Sequence, residues 1–275
     1  MDSALVLAFA VTVGAGLATG IGSTIAFFAK TTNKGFFAIS MGFSAGIMIY
    51  LSFAEILPKA TDYISAETGQ IQGAAIAAAA LIGGMVLMAV IDAFVPSGAN
   101  PHENTQVELL GAEQTPLEGI GIEQKRLLQT GVFVALAIAI HNFPEGLATF
   151  LLVLDDPQIG IALAIAVAMH NIPEGIAVSV PVYYATKSRL KAFRLSFLSG
   201  LAEPAGAVIG YLILAQFLTD FMLGVIFAGV AGVMVFLAID TLLPTARNSA
   251  RGHLTVYGVM AGMSVMALSL VLLKL

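Results

Sequence analysis

Two stretches of this sequence carry the same six-residue pattern, His-Asn-x-Pro-Glu-Gly: His141-Asn142-Phe143-Pro144-Glu145-Gly146 and His170-Asn171-Ile172-Pro173-Glu174-Gly175. Residues four apart in a helix lie on one face, a turn from each other. His141 with Glu145, and His170 with Glu174, can therefore each clasp one cation between an imidazole nitrogen and a carboxylate. Asn142 and Asn171 follow about 100° further round the helix and offer amide oxygens toward a second position beside the first. Proline lacks an N–H and its ring clashes with the carbonyl one turn earlier. Pro144 and Pro173 thus free the carbonyls of Ile140 and Met169. Gly146 and Gly175 let backbones approach closely.

Both patterns sit inside apolar runs, as does a third acidic residue in Gly200-Leu201-Ala202-Glu203-Pro204. An acidic residue at the centre of a membrane helix costs about 2.5–3.5 kcal/mol on the insertion scale, and such residues are seldom idle. Glu145, Glu174 and Glu203 are expected to converge. Three ionised carboxylates cannot share a dry site, so either some are protonated or a cation sits among them. One or two divalent ions bridged by Glu145 and Glu174 would relieve the repulsion. Nitrogen and oxygen donors suit zinc, iron, manganese, cobalt or copper better than calcium or magnesium. The absence of cysteine argues against a tightly held structural zinc. A single motif of this kind could be polar glue between helices, but its duplication favours metal binding.

The elements that must hold these residues follow from composition. Of 275 residues, 58% are hydrophobic and 11% charged, and the mean hydropathy is +0.93. A soluble domain carries about 25% charged residues. A cytosolic enzyme, a disordered chain and a disulfide framework are excluded. The net charge of −5 and the lack of a basic patch argue against a nucleic-acid partner. An all-α membrane protein remains, a single transmembrane domain over 1–275 in the lipid bilayer. Eight apolar runs are long enough to span, at 4–29, 36–57, 73–95, 127–153, 158–184, 192–217, 219–243 and 254–273. The first reads as a retained helix, because Asp2 precedes it where a leader has basic residues.

Ten basic residues fall in the connections after spans one, three, five and seven: Lys30, Lys34, Lys125, Arg126, Lys187, Arg189, Lys191, Arg194, Arg247 and Arg251. Only Lys59 and Lys274 fall on the other side. The positive-inside rule then puts both termini outside and the long connection 96–126 in the cytoplasm. That connection, with His102 and evenly spaced glutamates, reads as a solvated loop. Such a chain belongs most simply in a prokaryotic inner membrane.

Two internal similarities complete the pattern. Gly16-Leu17-Ala18-Thr19-Gly20-Ile21-Gly22 resembles Gly200-Leu201-Ala202-Glu203-Pro204-Ala205-Gly206. Ala45-Gly46-Ile47-Met48 through Leu57-Pro58 resembles Ala231-Gly232-Val233-Met234 through Leu243-Pro244. The partners are five spans apart, so the copies run in opposite senses. Spans 1–3 and 6–8 thus form an inverted repeat around a central 4–5 pair, a feature of secondary transporters.

At the paired motif and the Gly-Leu-Ala-Glu-Pro stretch the chain resembles the ZIP (Zrt/Irt-like) family of divalent-metal transporters, and within it the bacterial ZupT-type branch, which has histidine at the position of His170. The resemblance implies a two-metal centre. His141, Glu145, His170 and Glu174 match the ligands of its first site. Asn142, Glu145, Asn171, Glu174 and Glu203 match those of its second. It also implies a carrier, not an enzyme, with no prosthetic group and with Zn²⁺, Fe²⁺, Mn²⁺ or Co²⁺ as cargo. Spans one, four, five and six would move as a bundle against the rest. A homodimer is compatible with this reading. Met48 falls where some members place a soft ligand, although a core role suits it better. Glu55, Asp240 and Asp92 either line an access path or sit at the membrane interface. An intramembrane metal hydrolase is the competing class, but the His-Glu-x-x-His pattern it would use is absent.

Overall fold

The computed structural model of the chain describes residues 3–28, 34–93, 120–214, 219–250 and 252–273, and all regular structure among them is helical. The helices are α1 (Ser3–Phe28), α2 (Lys34–Leu51), α3 (Leu57–Thr68), α4 (Gln70–Ala93), α5 (Ile120–Asp155), α6 (Pro157–Thr186), α7 (Arg189–Gly200), α8 (Ala202–Leu214), α9 (Asp220–Leu237), α10 (Leu243–Ser249) and α11 (Leu254–Leu273). Seven continuous stretches are long and apolar enough to cross a membrane: Ser3–Thr24, Gly35–Thr68, Gln70–Ala93, Pro157–Thr186, Arg189–Ile213, Asp220–Asn248 and Leu254–Leu272. Between the third and fourth of these lies α5, whose 36 residues reach about 54 Å. Most of the connection 96–126, including His102, lies outside the described residues. Its last part, from Ile120, is already helix and not loop.

Two expected span ends are corrected. The Leu57-Pro58 and Leu243-Pro244 pairs do not stop their helices. A π-helical turn, Ser52–Ile56 or Ala238–Leu242, carries each helix through the proline. In each, the N–H of the leucine before proline bonds five residues back, Leu57 to the Ser52 carbonyl and Leu243 to the Ala238 carbonyl. The wider turn absorbs the mismatch that proline brings to an i→i−4 ladder, and Pro58 and Pro244 fall in the first turn of the continuing helix, where a missing N–H costs nothing. Spans two and seven therefore run on to Thr68 and Ser249. Span six bends at Leu201 between α7 and α8, which puts Glu203 in the first turn of α8.

The remaining ends have local causes. Asp156 alone links α5 to α6, its carboxylate accepting the N–H groups of Gln158 and Ile159 at 3.1 and 3.2 Å. Thr219 caps α9 by accepting from the Met222 N–H at 3.2 Å. Gly69 separates α3 from α4 with φ of 85°, a conformation that other residues reach only with strain.

The helices pack in two groups. One holds α1, α5, α6, α7 and α8; the other pairs α2 with α11 and α9 with α3 and α4. Large apolar side chains such as Ile71, Leu198 and Leu212 are exposed, while Glu145, His170, Glu174 and Glu203 are buried. Glycines set the spacing: a Cβ on Gly46 or Gly262 would overlap the backbone carbonyl of Val259 or Phe43, whereas Gly83 faces open space. Between the groups lies a small cavity, lined by Glu55 and Lys59 on one side and Leu152, Ile159 and Leu163 on the other.

A polar clasp closes over that seam. Lys59 Nζ lies 3.0 Å from Asp155 Oδ2 and 3.4 Å from Asp156 Oδ2, and the Tyr63 hydroxyl donates to Asp155. Burial pushes the Asp156 carboxyl upward, but the Ile159 N–H and the Lys59 ammonium outweigh it and hold it below its ordinary value. A carboxylate with a depressed folded-state pKa contributes stability above its unfolded pKa, about 3.9 for Asp, and loses it as pH falls through the folded value.

Two outcomes are expected in thermal unfolding in detergent. Lys59→Met should lower the midpoint at neutral pH, and the gap from the unaltered protein should narrow once the pH drops below about 4; a gap independent of pH would dismiss the clasp. Gly262→Leu should cost about 1–3 kcal/mol through overpacking, while Gly83→Ala should cost nothing.

Candidate metal centre

The link at Asp156 makes α5 and α6 an antiparallel hairpin, and in a hairpin residues at similar distances from the turn face each other. Glu145 lies eleven residues before Asp156 and His170 fourteen after it; Glu174 is one turn further out. Accordingly His170 Nε2 stands 3.1 Å from Glu145 Oε2, across the helices. This contact runs between the helices, whereas the spacing spoke of a cation clasped along each helix, His170 with Glu174. His170 Nδ1 lies 3.2 Å from the Ala166 carbonyl. A carbonyl only accepts, so Nδ1 carries the hydrogen. Nε2 is left to Glu145, or to a metal ion once the shared proton leaves.

The asparagines reach outward from the hairpin. Asn171 Nδ2 donates to the Ala15 carbonyl of α1 at 2.9 Å and to Glu203 Oε1 of α8. Asn142 Nδ2 donates to the Ser199 carbonyl of α7 at 3.4 Å. Both amides thus turn their oxygens away from these contacts. The Oδ1 atoms of Asn142 and Asn171, Oε1 of Glu145 and Oε2 of Glu203 are buried with no hydrogen-bond partner. Leaving a buried acceptor unmatched costs about 1–3 kcal/mol, more if it is charged.

Glu174 is 1% exposed and Glu203 fully buried. Glu145 and Glu174 both act electrostatically on His170 and on Glu203. Glu145, Glu174 and Glu203 are therefore all buried and within electrostatic reach of one another. Glu203 also sits at the positive end of the α8 dipole. The His141 side chain lies outside the described residues; its backbone belongs to α5. Among the described residues, no group of three or more His, Cys, Asp or Glu side chains is placed to hold a metal ion. What the structure shows is a set of buried acceptor atoms without hydrogen-bond partners, on α5, α6 and α8.

Close backbone approach makes this possible. A Cβ on Gly146 would overlap the Glu203 carbonyl, and one on Gly206 the Phe143 carbonyl. Serines, which the motif does not foreshadow, brace the far side. The Gly175 carbonyl accepts from Ser196 Oγ at 3.1 Å and Ser23 Oγ at 3.5 Å, and Ser199 Oγ donates to the Ser196 carbonyl at 2.7 Å. Their signal in the sequence is only that small polar residues recur on the helix faces opposite the motif.

Other expected positions separate from the centre. Met48 is wholly buried in the apolar core, in keeping with a packing role. Glu55 lines the cavity between the helix groups. Asp240 lies on the second π turn, and Asp92 is half-buried near the end of α4.

Sequence comparison bears on the identity of such a site. The model of the ZIP zinc transporter family matches residues 98–270. The zinc transporter ZupT of Lysinibacillus sphaericus is 55% identical over 99% of this chain and 100% of its own length. That of Oceanobacillus iheyensis is 56% identical with the same coverage, and that of Nitratidesulfovibrio vulgaris 52% identical over 98% of each chain. Helices built to cross a membrane, buried unmatched acceptors at a duplicated motif and similarity along the whole chain meet in one conclusion: this multi-pass membrane protein belongs to the ZIP family, on its ZupT-type branch.

Proposed function

We propose that the chain is a carrier that imports divalent transition-metal ions, zinc foremost, into the cytoplasm through a two-metal site formed by the paired motifs. The observation that carries this reading is the set of buried, unmatched oxygens around the His170–Glu145 contact. Buried acceptors with few donors call for a cation, and imidazole among carboxylates and amides selects a borderline transition metal over calcium or magnesium. His141, Glu145, His170 and Glu174 hold the first ion. Asn142, Glu145, Asn171, Glu174 and Glu203 hold the second, with both glutamates bridging. Iron, manganese and cobalt share this donor preference and are further cargo.

The surrounding architecture is that of a membrane protein with eight crossings, α5 being the eighth, and both termini outside. The matched π turns of spans two and seven, and the equivalent glycine contacts of spans one and six, support an inverted repeat. Two helix groups joined along a narrow seam suit movement of the bundle of α1 and α5–α8 against the remainder. Metal binding displaces protons from the glutamates and His170, so uptake depends on pH.

The test is metal influx into proteoliposomes containing a zinc-sensitive dye. The intact protein should admit Zn²⁺, and Glu174→Ala should slow entry by more than about tenfold, as loss of a bridging ligand demands. Influx that survives the substitution would break the site assignment while leaving transport in place. Metal binding without influx in the intact protein would turn the reading toward a membrane hydrolase.

A further inference from the structure

The contacts around the hairpin come in pairs. Asn171 donates to the Ala15 carbonyl, and Asn142 to the Ser199 carbonyl. Gly175 abuts the Thr19 carbonyl, and Gly146 that of Glu203; Gly22 abuts the carbonyl of Ile172, and Gly206 that of Phe143; Gly16 and Gly200 abut each other's. One exchange turns each member into its partner. Ala15, Gly16, Thr19 and Gly22 go to Ser199, Gly200, Glu203 and Gly206, always 184 residues later. Asn142, Phe143 and Gly146 go to Asn171, Ile172 and Gly175, always 29 later. A chance likeness between glycine-rich helices would not hold one offset through hydrogen bonds and backbone contacts alike.

The exchange takes Thr19 to Glu203. On one limb, Asn171 donates to Glu203. On the other, Thr19 is fully buried, its Oγ1 has no hydrogen-bond partner, and Asn142 Oδ1 has none either. An unmatched hydroxyl and an unmatched amide oxygen therefore occupy the places that correspond to a carboxylate and its asparagine.

We propose that Thr19 is a specificity-determining residue of the metal centre. Its hydroxyl and Asn142 Oδ1 form a neutral, all-oxygen limb opposite the charged Asn171–Glu203 limb, and this limb holds the hydrated side of a divalent cation. The role rests on the reading of the centre as a metal site. It has a chemical rationale: a carboxylate at position 19 would make a fourth buried acid in a site that must release its ion. A hydroxyl supplies a hard donor without that charge, favouring ions such as Mn²⁺ and Zn²⁺ over the softer Cd²⁺.

The experiment is calorimetric titration of the detergent-solubilised full chain with ZnCl₂, MnCl₂ and CdCl₂. Thr19→Val keeps the shape and removes the hydroxyl, so Zn²⁺ affinity should fall about two- to tenfold, the range for one lost hydrogen bond, and the ratio of Mn²⁺ to Cd²⁺ affinity should fall with it. Thr19→Ser should stay within about twofold of the intact protein. Thr12→Val, which removes a buried hydroxyl already bonded to the Ala8 carbonyl at 2.9 Å, should change neither quantity. Unchanged affinity and ratio in a folded Thr19→Val would overturn the assignment. If that variant does not fold, Thr19→Asp decides, since a carboxylate on this limb should tighten Zn²⁺ binding and an unchanged affinity refutes the role. An intact protein that binds none of the three ions would instead remove the metal centre itself.

Discussion

The 3.1 Å contact between His170 and Glu145 joins two helices by polar atoms deep in an apolar protein, and the fold can be read as the conditions that contact requires. Two helices must lie close, antiparallel and in one register, which a single-residue link achieves. Neighbouring helices must approach until backbone meets backbone, which Gly146, Gly175, Gly206 and Gly22 permit. Every donor drawn in must leave acceptors in excess. Asn171 and Asn142 satisfy that condition by giving their N–H groups to main-chain carbonyls of α1 and α7. Polarity here is concentrated inside and apolar surface outside, the reverse of a soluble domain, because the surrounding lipid offers polar atoms no partner.

Much of this was legible from residue types. The spacing of apolar runs located the helices, and the duplicated motif together with Glu203 located six of the buried polar residues. The pairing of His170 was not legible, because helical periodicity speaks only of neighbours on the same helix. The partner across the hairpin depends on the register, and the register depends on the length of the link. Leu57-Pro58 and Leu243-Pro244 looked like helix ends for a similar reason: the rule against interior proline assumes an α-helical ladder, and a π turn changes the ladder. The serines carry no pattern of their own, and Thr19 is marked only by its place in the internal repeat; their meaning comes from the groups that face them.

The π turns themselves share a position with chemistry. Glu55 falls inside the first and Asp240 inside the second, in helices whose sequences resemble each other. A π turn bulges the backbone and turns nearby side chains relative to a regular helix. Each acidic residue is thus presented from a widened turn, just ahead of a proline that stiffens the continuing helix.

The one-residue link at Asp156 has a mechanical meaning. With no slack between α5 and α6, the hairpin behaves as a stiff beam, and the two halves of the motif can travel only together. The beam is held near its tip, where Lys59 and Tyr63 of the other helix group grip Asp155 and Asp156. Glu145 and His170 lie about three to four turns from that grip, so a small rotation about the tip would displace them by a larger distance. On the proposed carrier reading, the hairpin would turn as one piece about the Lys59–Asp155–Asp156 contacts and carry both halves of the motif with it.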